Sequence, residues 1–191
     1  MESFIQYLKS FTPLYADQID ALTALLTLEK LQPNEYLLEV GMYCNKIAFI
    51  QQGVFRIYFY NNEGEEITRY FLAENQFVVD LNAFNNQVVS SEYIQSVTDS
   101  EVVILSRTAF DQMSTIIPEW DKVIKAITEK ALMEKLFNRS NMVGQSAKSK
   151  YLDFLTTHPK LANRIPLGHL ASYLGIKQQS LSRIRKEIVL P

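Results

Sequence analysis

Leu167-Gly168-His169-Leu170-Ala171-Ser172-Tyr173-Leu174-Gly175-Ile176-Lys177-Gln178-Gln179-Ser180-Leu181-Ser182-Arg183-Ile184-Arg185 is the stretch on which the fold turns. Ala171 is small where a first helix must approach a second closely. Gly175 follows four residues later, where a sharp turn wants a left-handed residue, and Leu181 follows six after that as a core position. Leu170, Leu174, Ile176 and Ile184 complete an apolar inner face. This is the spacing of a helix-turn-helix. With the second helix starting near Lys177, the side chains of Lys177, Gln178, Gln179, Ser182, Arg183 and Lys186 face solvent, while Ser180, Leu181 and Ile184 turn inward or to the side. Gln pairs bidentately with adenine and Arg with guanine in the major groove, whereas Lys and Ser more often hold phosphates. Gln178, Gln179 and Arg183 are therefore the expected base readers on double-stranded DNA, and Lys177, Ser180, Ser182 and Lys186 the expected positioning contacts.

The charge distribution agrees. Residues 147–191 carry five lysines and three arginines against Asp153 and Glu187, leaving eleven cations against nineteen carboxylates for the rest of the chain. A small basic unit on an acidic body favours a polyphosphate partner. Just upstream, Pro118 suits the first turn of a long helix reaching Val143, with Gly144 ending it. About 25 residues of helix extend roughly 38 Å, more than a small β-roll needs for cover. Its apolar set is Trp120, Val123, Ile124, Ile127, Ala131, Leu132, Leu136 and Phe137. Of these, Trp120, Val123, Ile124, Ile127 and Ala131 are assigned to a subunit interface.

Further upstream the period changes. Lys46–Gln52, Val54–Tyr60, Ile67–Leu72, Tyr93–Val97 and Val102–Leu105 read as short strands, punctuated by Gly41, Gly53 and Gly64, as in an antiparallel roll. The first thirty residues read as two short helices around Thr12-Pro13, with apolar Phe4, Ile5 and Leu8 and then Ile19, Leu22, Leu25 and Leu26. A short helix over Ala109–Met113 closes the roll, and Ala147–Thr157 opens the C-terminal unit. The expected fold is α+β: an antiparallel β-roll with flanking helices over 1–117, a long dimerisation helix over 118–145 and a helix-turn-helix unit over 146–191.

Composition narrows the function. At 47% hydrophobic and 21% charged residues the chain is globular. One cysteine, Cys44, cannot supply a disulfide framework, a zinc ribbon or an iron–sulfur cluster. Glycine-rich phosphate loops, nucleophile motifs and paired histidines with metal-ligand spacing are all missing, so no enzyme is expected. The N-terminus lacks a basic start and no apolar run approaches the roughly 18 residues of a membrane span. A cytoplasmic protein without membrane contact is expected. The competing reading is a ligand-sensing signalling module that does not touch DNA, its basic tail serving as a protein interface.

The roll glycines Gly41, Gly53 and Gly64, the long connecting helix and the C-terminal helix-turn-helix together resemble the CRP/FNR family of bacterial transcription regulators across nearly the whole chain. The ending Leu181-Ser182-Arg183-Ile184-Arg185-Lys186 is similar to compact members from Bacteroidetes-type bacteria. The resemblance implies a homodimer on a pseudo-palindromic operator with half-sites about 34 Å apart, RNA polymerase as a candidate partner, and a cyclic-nucleotide-binding-like roll with a small-molecule effector. With the chain stopping at Pro191, the β wing of the longest members is expected to be absent.

In cyclic-nucleotide-binding members a Gly-Glu pair opens a short helix, and Arg-Ser or Arg-Thr follows about ten residues on. Here the pair aligns with Val79-Asp80 and the second element with Ser90-Ser91. The phosphate-neutralising arginine is thus replaced by Ser90, and Glu92 adds a negative charge. Losing such a charge-assisted pair typically costs about 2 to 5 kcal/mol. Val79, Asp80, Ser90 and Ser91 remain the expected effector pocket, but cAMP is not its expected ligand. Cys44 reads as a buried or partly buried thiol. His158 and His169 fall in the basic tail, where they read as surface or packing residues, so neither cluster nor haem is expected and the effector stays unidentified.

Overall fold

The computed structural model describes residues 1–140 and 144–189, apart from the side chains of 137–140 and 189. Phe137 of the apolar set, the helix end placed at Val143, and Pro191 lie outside the described residues.

Two helices, α1 (Glu2–Lys9) and α2 (Ala16–Leu25), precede the strands β1 (Thr27–Leu31), β2 (Tyr36–Leu38), β3 (Lys46–Gln52), β4 (Phe55–Tyr60), β5 (Glu66–Leu72) and β6 (Phe77–Val78). The short α3 (Leu81–Asn86) leads to β7 (Tyr93–Ser96), β8 (Ser100–Ser106) and α4 (Arg107–Ile116). Two four-stranded sheets result, ordered β1-β8-β3-β6 and β2-β7-β4-β5, and every pairing is antiparallel. Phe49, Ile50, Phe55, Ile57, Ile94, Val102 and Val103 fill the roll.

β3 does not alternate: Ile47, Ala48, Phe49 and Ile50 are all buried. α1 covers the side of Phe49, whose ring meets Phe4 at 5.4 Å and Tyr7 at 5.3 Å. A strand covered on both faces reads as a continuous apolar run. At the β3–β4 turn Gly53 takes φ +113°, and a Cβ there would lie 2.5 Å from that of Ser100, so no other residue fits.

One early expectation fails. Thr27–Leu31 is not a helical continuation but β1, paired along its length with β8 from Thr27↔Ile104 to Leu31↔Ser100. Leu25, Leu28 and Leu31 keep a helix-like spacing of three across this boundary; tertiary pairing overrides it.

The long helix α5 (Trp120–Ser140) requires a second correction. Trp120, Val123 and Ile127 are buried in the chain's own core, with Ile124 packed beside them; the Trp120 ring meets Phe110 at 5.8 Å. Ala131 is half-buried and lines a cavity against the roll. Three of the five residues assigned to a second subunit, Trp120, Val123 and Ile127, are thus spent on the chain's own core. Among the described side chains, the large apolar residues α5 leaves exposed are Leu132 (53%), Met133 (65%) and Leu136 (56%), on a different face. Three helices follow: α6 (Ala147–Thr157), α7 (Leu167–Leu174) and α8 (Gln178–Val189). Among the described residues no helix is long and apolar enough to cross a membrane.

Candidate nucleic-acid interface and effector pocket

The last two helices pack as the glycine spacing requires. Gly175 takes φ +66° just past α7, and the Ile176 N–H donates to the Ala171 carbonyl at 3.0 Å, closing a left-handed helix end that glycine tolerates best. Leu170, Ala171, Leu174 and Leu181 join Tyr151, Phe154, Leu161 and Ile165 in a second core. Lys150 of α6 donates to the Leu174 carbonyl at 3.2 Å. Gly168 has a packing reason too, since a Cβ there would sit 3.2 Å from Gln178 Oε1.

With Leu181 fully buried, α8 and its leading residue turn Lys177, Gln178, Gln179, Ser180, Arg183 and Lys186 to solvent, and Ser182 is half-buried. The structure therefore exposes the expected base-reading and phosphate-holding side chains together. Ser180 differs from expectation: it points out, because Leu181 alone at this turn is needed by the core.

The effector residues are not brought together as one pocket. Asp80 is buried and caps α3: one carboxylate oxygen accepts the Ala83 N–H at 3.0 Å, the other the Ser90 hydroxyl at 2.7 Å. Ser90 Oγ in turn accepts the Glu92 N–H at 3.1 Å. The two halves of the expected cassette do meet, but they satisfy each other. Val79 instead lines an apolar cavity of about 270 Å³ inside the roll with Leu37, Leu38 and Ile94, and Ser91 is exposed. Glu92 pairs with Arg69 at 2.6 Å; burial raises its carboxyl above the usual range, Arg69 opposing. A cyclic phosphate would thus meet the buried Asp80 carboxylate, while Arg69 beside it is already paired with Glu92. Cys44 is buried, and burial pushes its thiol up. Among the described residues no group of three or more His, Cys, Asp or Glu is placed to hold a metal.

Sequence reasoning missed the junction between roll and reader. Arg56, only 2% exposed, lies 2.6 Å from Glu66 and 2.9 Å from His169 Nδ1, while its Nε donates to Gln95 at 2.8 Å. Ser172 Oγ accepts from the Thr68 N–H at 2.9 Å and donates to the Glu66 carbonyl at 2.6 Å. Arg164 grips Glu74 with two bonds of 2.6 and 2.9 Å, and Glu74 also accepts the Gly53 N–H. Arg164, together with that N–H and against some burial, draws Glu74 down to about 2. Burial lowers His169, Arg56 adding and Glu66 opposing. One sign of this junction was present in the sequence: Arg56 is the one charge in an otherwise apolar and aromatic strand, where a buried charge needs a partner.

Residues 28–115 match the model of the cyclic nucleotide-binding domain. A search of curated proteins finds no match. Solved structures do match: the c-di-GMP-responsive global regulator CLP of Xanthomonas campestris at 15% identity, TM-score 0.72, covering 91% of each chain. FixK2 of Bradyrhizobium japonicum matches at 14% identity and TM-score 0.73, covering 85% of this chain and 84% of that one. A Eubacterium rectale protein described as a transcriptional regulator of the CRP/FNR family matches at 14% and 0.72, covering 97% of this chain and 88% of its own.

Proposed function

We propose that this chain, which has a CRP/FNR-type fold built around a cyclic nucleotide-binding domain, is a DNA-binding transcription regulator acting as a homodimer. The observation that carries the reading is that Lys177, Gln178, Gln179, Arg183 and Lys186 are all exposed at and just before α8 while Leu181 anchors the helix in the core. A helix anchored on one side and armed with long polar side chains on the other is what a major groove accepts. Its operator is pseudo-palindromic, its place of action the cytoplasm, and RNA polymerase its downstream partner. Because Asp80 and Ser90 are bonded to each other, the roll does not take cAMP in the usual way. The two copies meet through Leu132, Met133 and Leu136 of α5.

Fluorescence anisotropy with genomic fragments tests the reading. Arg183→Ala is expected to cost about 1–3 kcal/mol at a specific site and to relax base preference. Lys177→Ala is expected to weaken specific and random DNA equally and to flatten the salt slope by about one. Equal losses at specific and random DNA for Arg183→Ala remove its base-reading role. An absent or salt-insensitive signal makes the C-terminal unit a protein interface instead.

A further inference from the structure

A cavity of about 200 Å³ lies where the roll, α5 and the C-terminal unit meet, and neither Asp80 nor Ser90 lines it. Its volume slightly exceeds the about 150 Å³ that accommodates benzene. The walls are aromatic: Tyr70 and Phe71 come from β5, and Phe154 and Tyr173 from the C-terminal unit. Phe71 and Tyr173 stand with ring centres 5.3 Å apart. Its charges are uneven. Lys130, Lys135 and Arg69 line it against Glu134 alone, and Arg69 is already paired with Glu92.

Lys135 is the informative side chain. It is half-buried, its ammonium 4.6 Å from the centre of the Tyr70 ring, and among the described residues it has no hydrogen-bond acceptor. Burial lowers its ammonium below the usual range, Glu92 opposing. The Lys130 ammonium lies 5.7 Å from the Tyr7 ring. The half-buried Lys135 ammonium, set over a ring with no carboxylate in contact and with the exposed Lys130 at the cavity's edge, calls for an anion carried on a flat apolar body. The larger cavity inside the roll makes no such demand, because its one cation, Lys46, is paired with Glu29 at 2.8 Å.

We propose that this junction cavity is the effector site and takes a single-ring aromatic carboxylate. The ring lies among Tyr70, Phe71 and Tyr173, and the carboxylate reaches Lys135 with Lys130 beside it. The effector role rests on the regulator reading above. A ligand there touches the roll and the reader together, which is how binding at one place can bias the other.

Benzoate is the probe, titrated calorimetrically into the full chain, with cAMP as comparison. Saturable millimolar-or-tighter benzoate binding is expected. It should weaken about tenfold or more in Lys135→Met, the loss of one charge-assisted hydrogen bond, recover in Lys135→Arg, and vanish in Ala131→Phe, which fills the cavity. If Ala131→Phe does not fold, the Lys135 pair of variants decides. Absent benzoate binding overturns the proposal, as does binding indifferent to Lys135. DNA anisotropy of the ligand-free chain separates the two readings. DNA binding without benzoate binding removes the site alone; benzoate binding without DNA binding removes its effector role.

Discussion

Arg56 and His169 show how much of this molecule depends on single protonation states. Neutral His169 accepts what Arg56 Nη1 offers at 2.9 Å; an imidazolium there would face a guanidinium. Its folded pKa lies below the ordinary imidazole value, so the unfolded chain binds the extra proton first. Stability is complete above about pH 6.5 and declines as pH falls from there through the folded pKa. His158, also lowered by burial, acts in the same direction. Urea titrations from roughly pH 7.5 to 5 should show the wild type losing stability with acid more steeply than His169→Gln. Parallel profiles would mean that the contact contributes nothing. The sequence concealed this pair because its two residues are 113 positions apart; neither spacing nor composition links a mid-strand arginine to a histidine of the tail.

At the scale of elements, local patterning was readable wherever one face of a helix or strand carries the burial. β3 and α6 run over the residues their patterns indicated, and the turn at Gly175 falls where the spacing put it. β1 was hidden because Thr27–Leu31 carries only one fully buried residue, Leu31, so its state is set by β8 and not by its own pattern. α5 is the instructive case. Its apolar residues were evident, but which partner they serve depends on the angle at which the helix lies on the roll. Trp120→Ala should therefore cost about 3–5 kcal/mol as a core truncation, seen as a lower melting temperature whatever the oligomeric state. Leu132→Asp with Leu136→Asp should instead give monomers by light scattering with melting little changed. Should Trp120→Ala merely dissociate the protein, its place in the roll core would be wrong. The exposure of the candidate DNA side chains was legible except at Ser180, which points out, and Ser182, which is half-buried, because it follows largely from one buried leucine. The expected effector residues do not form one pocket, since no sequence rule says that Asp80 and Ser90 satisfy each other.

For the whole molecule, charge and geometry act together. On the proposed reading, the acidic remainder of the chain would repel a duplex and the basic C-terminal unit attract it, orienting the approach before any contact is made. In a symmetric pair the two α8 helices reach half-sites about one helical turn apart. Inserting roughly half a turn of DNA between the half-sites of a selected operator should therefore cost about tenfold or more in affinity, read by anisotropy, while a full-turn insertion costs less. Equal tolerance of both insertions would indicate independent monomers. The way α7 leans on the roll has a consequence of its own. β5 is the outermost strand of its sheet, and Ser172 answers the Thr68 N–H and Glu66 carbonyl that would otherwise point outward unpaired. The reader thus shields a strand edge of the kind that recruits foreign strands. Any state in which the tail swings free leaves that edge bare, and aggregation becomes the hazard that accompanies such release.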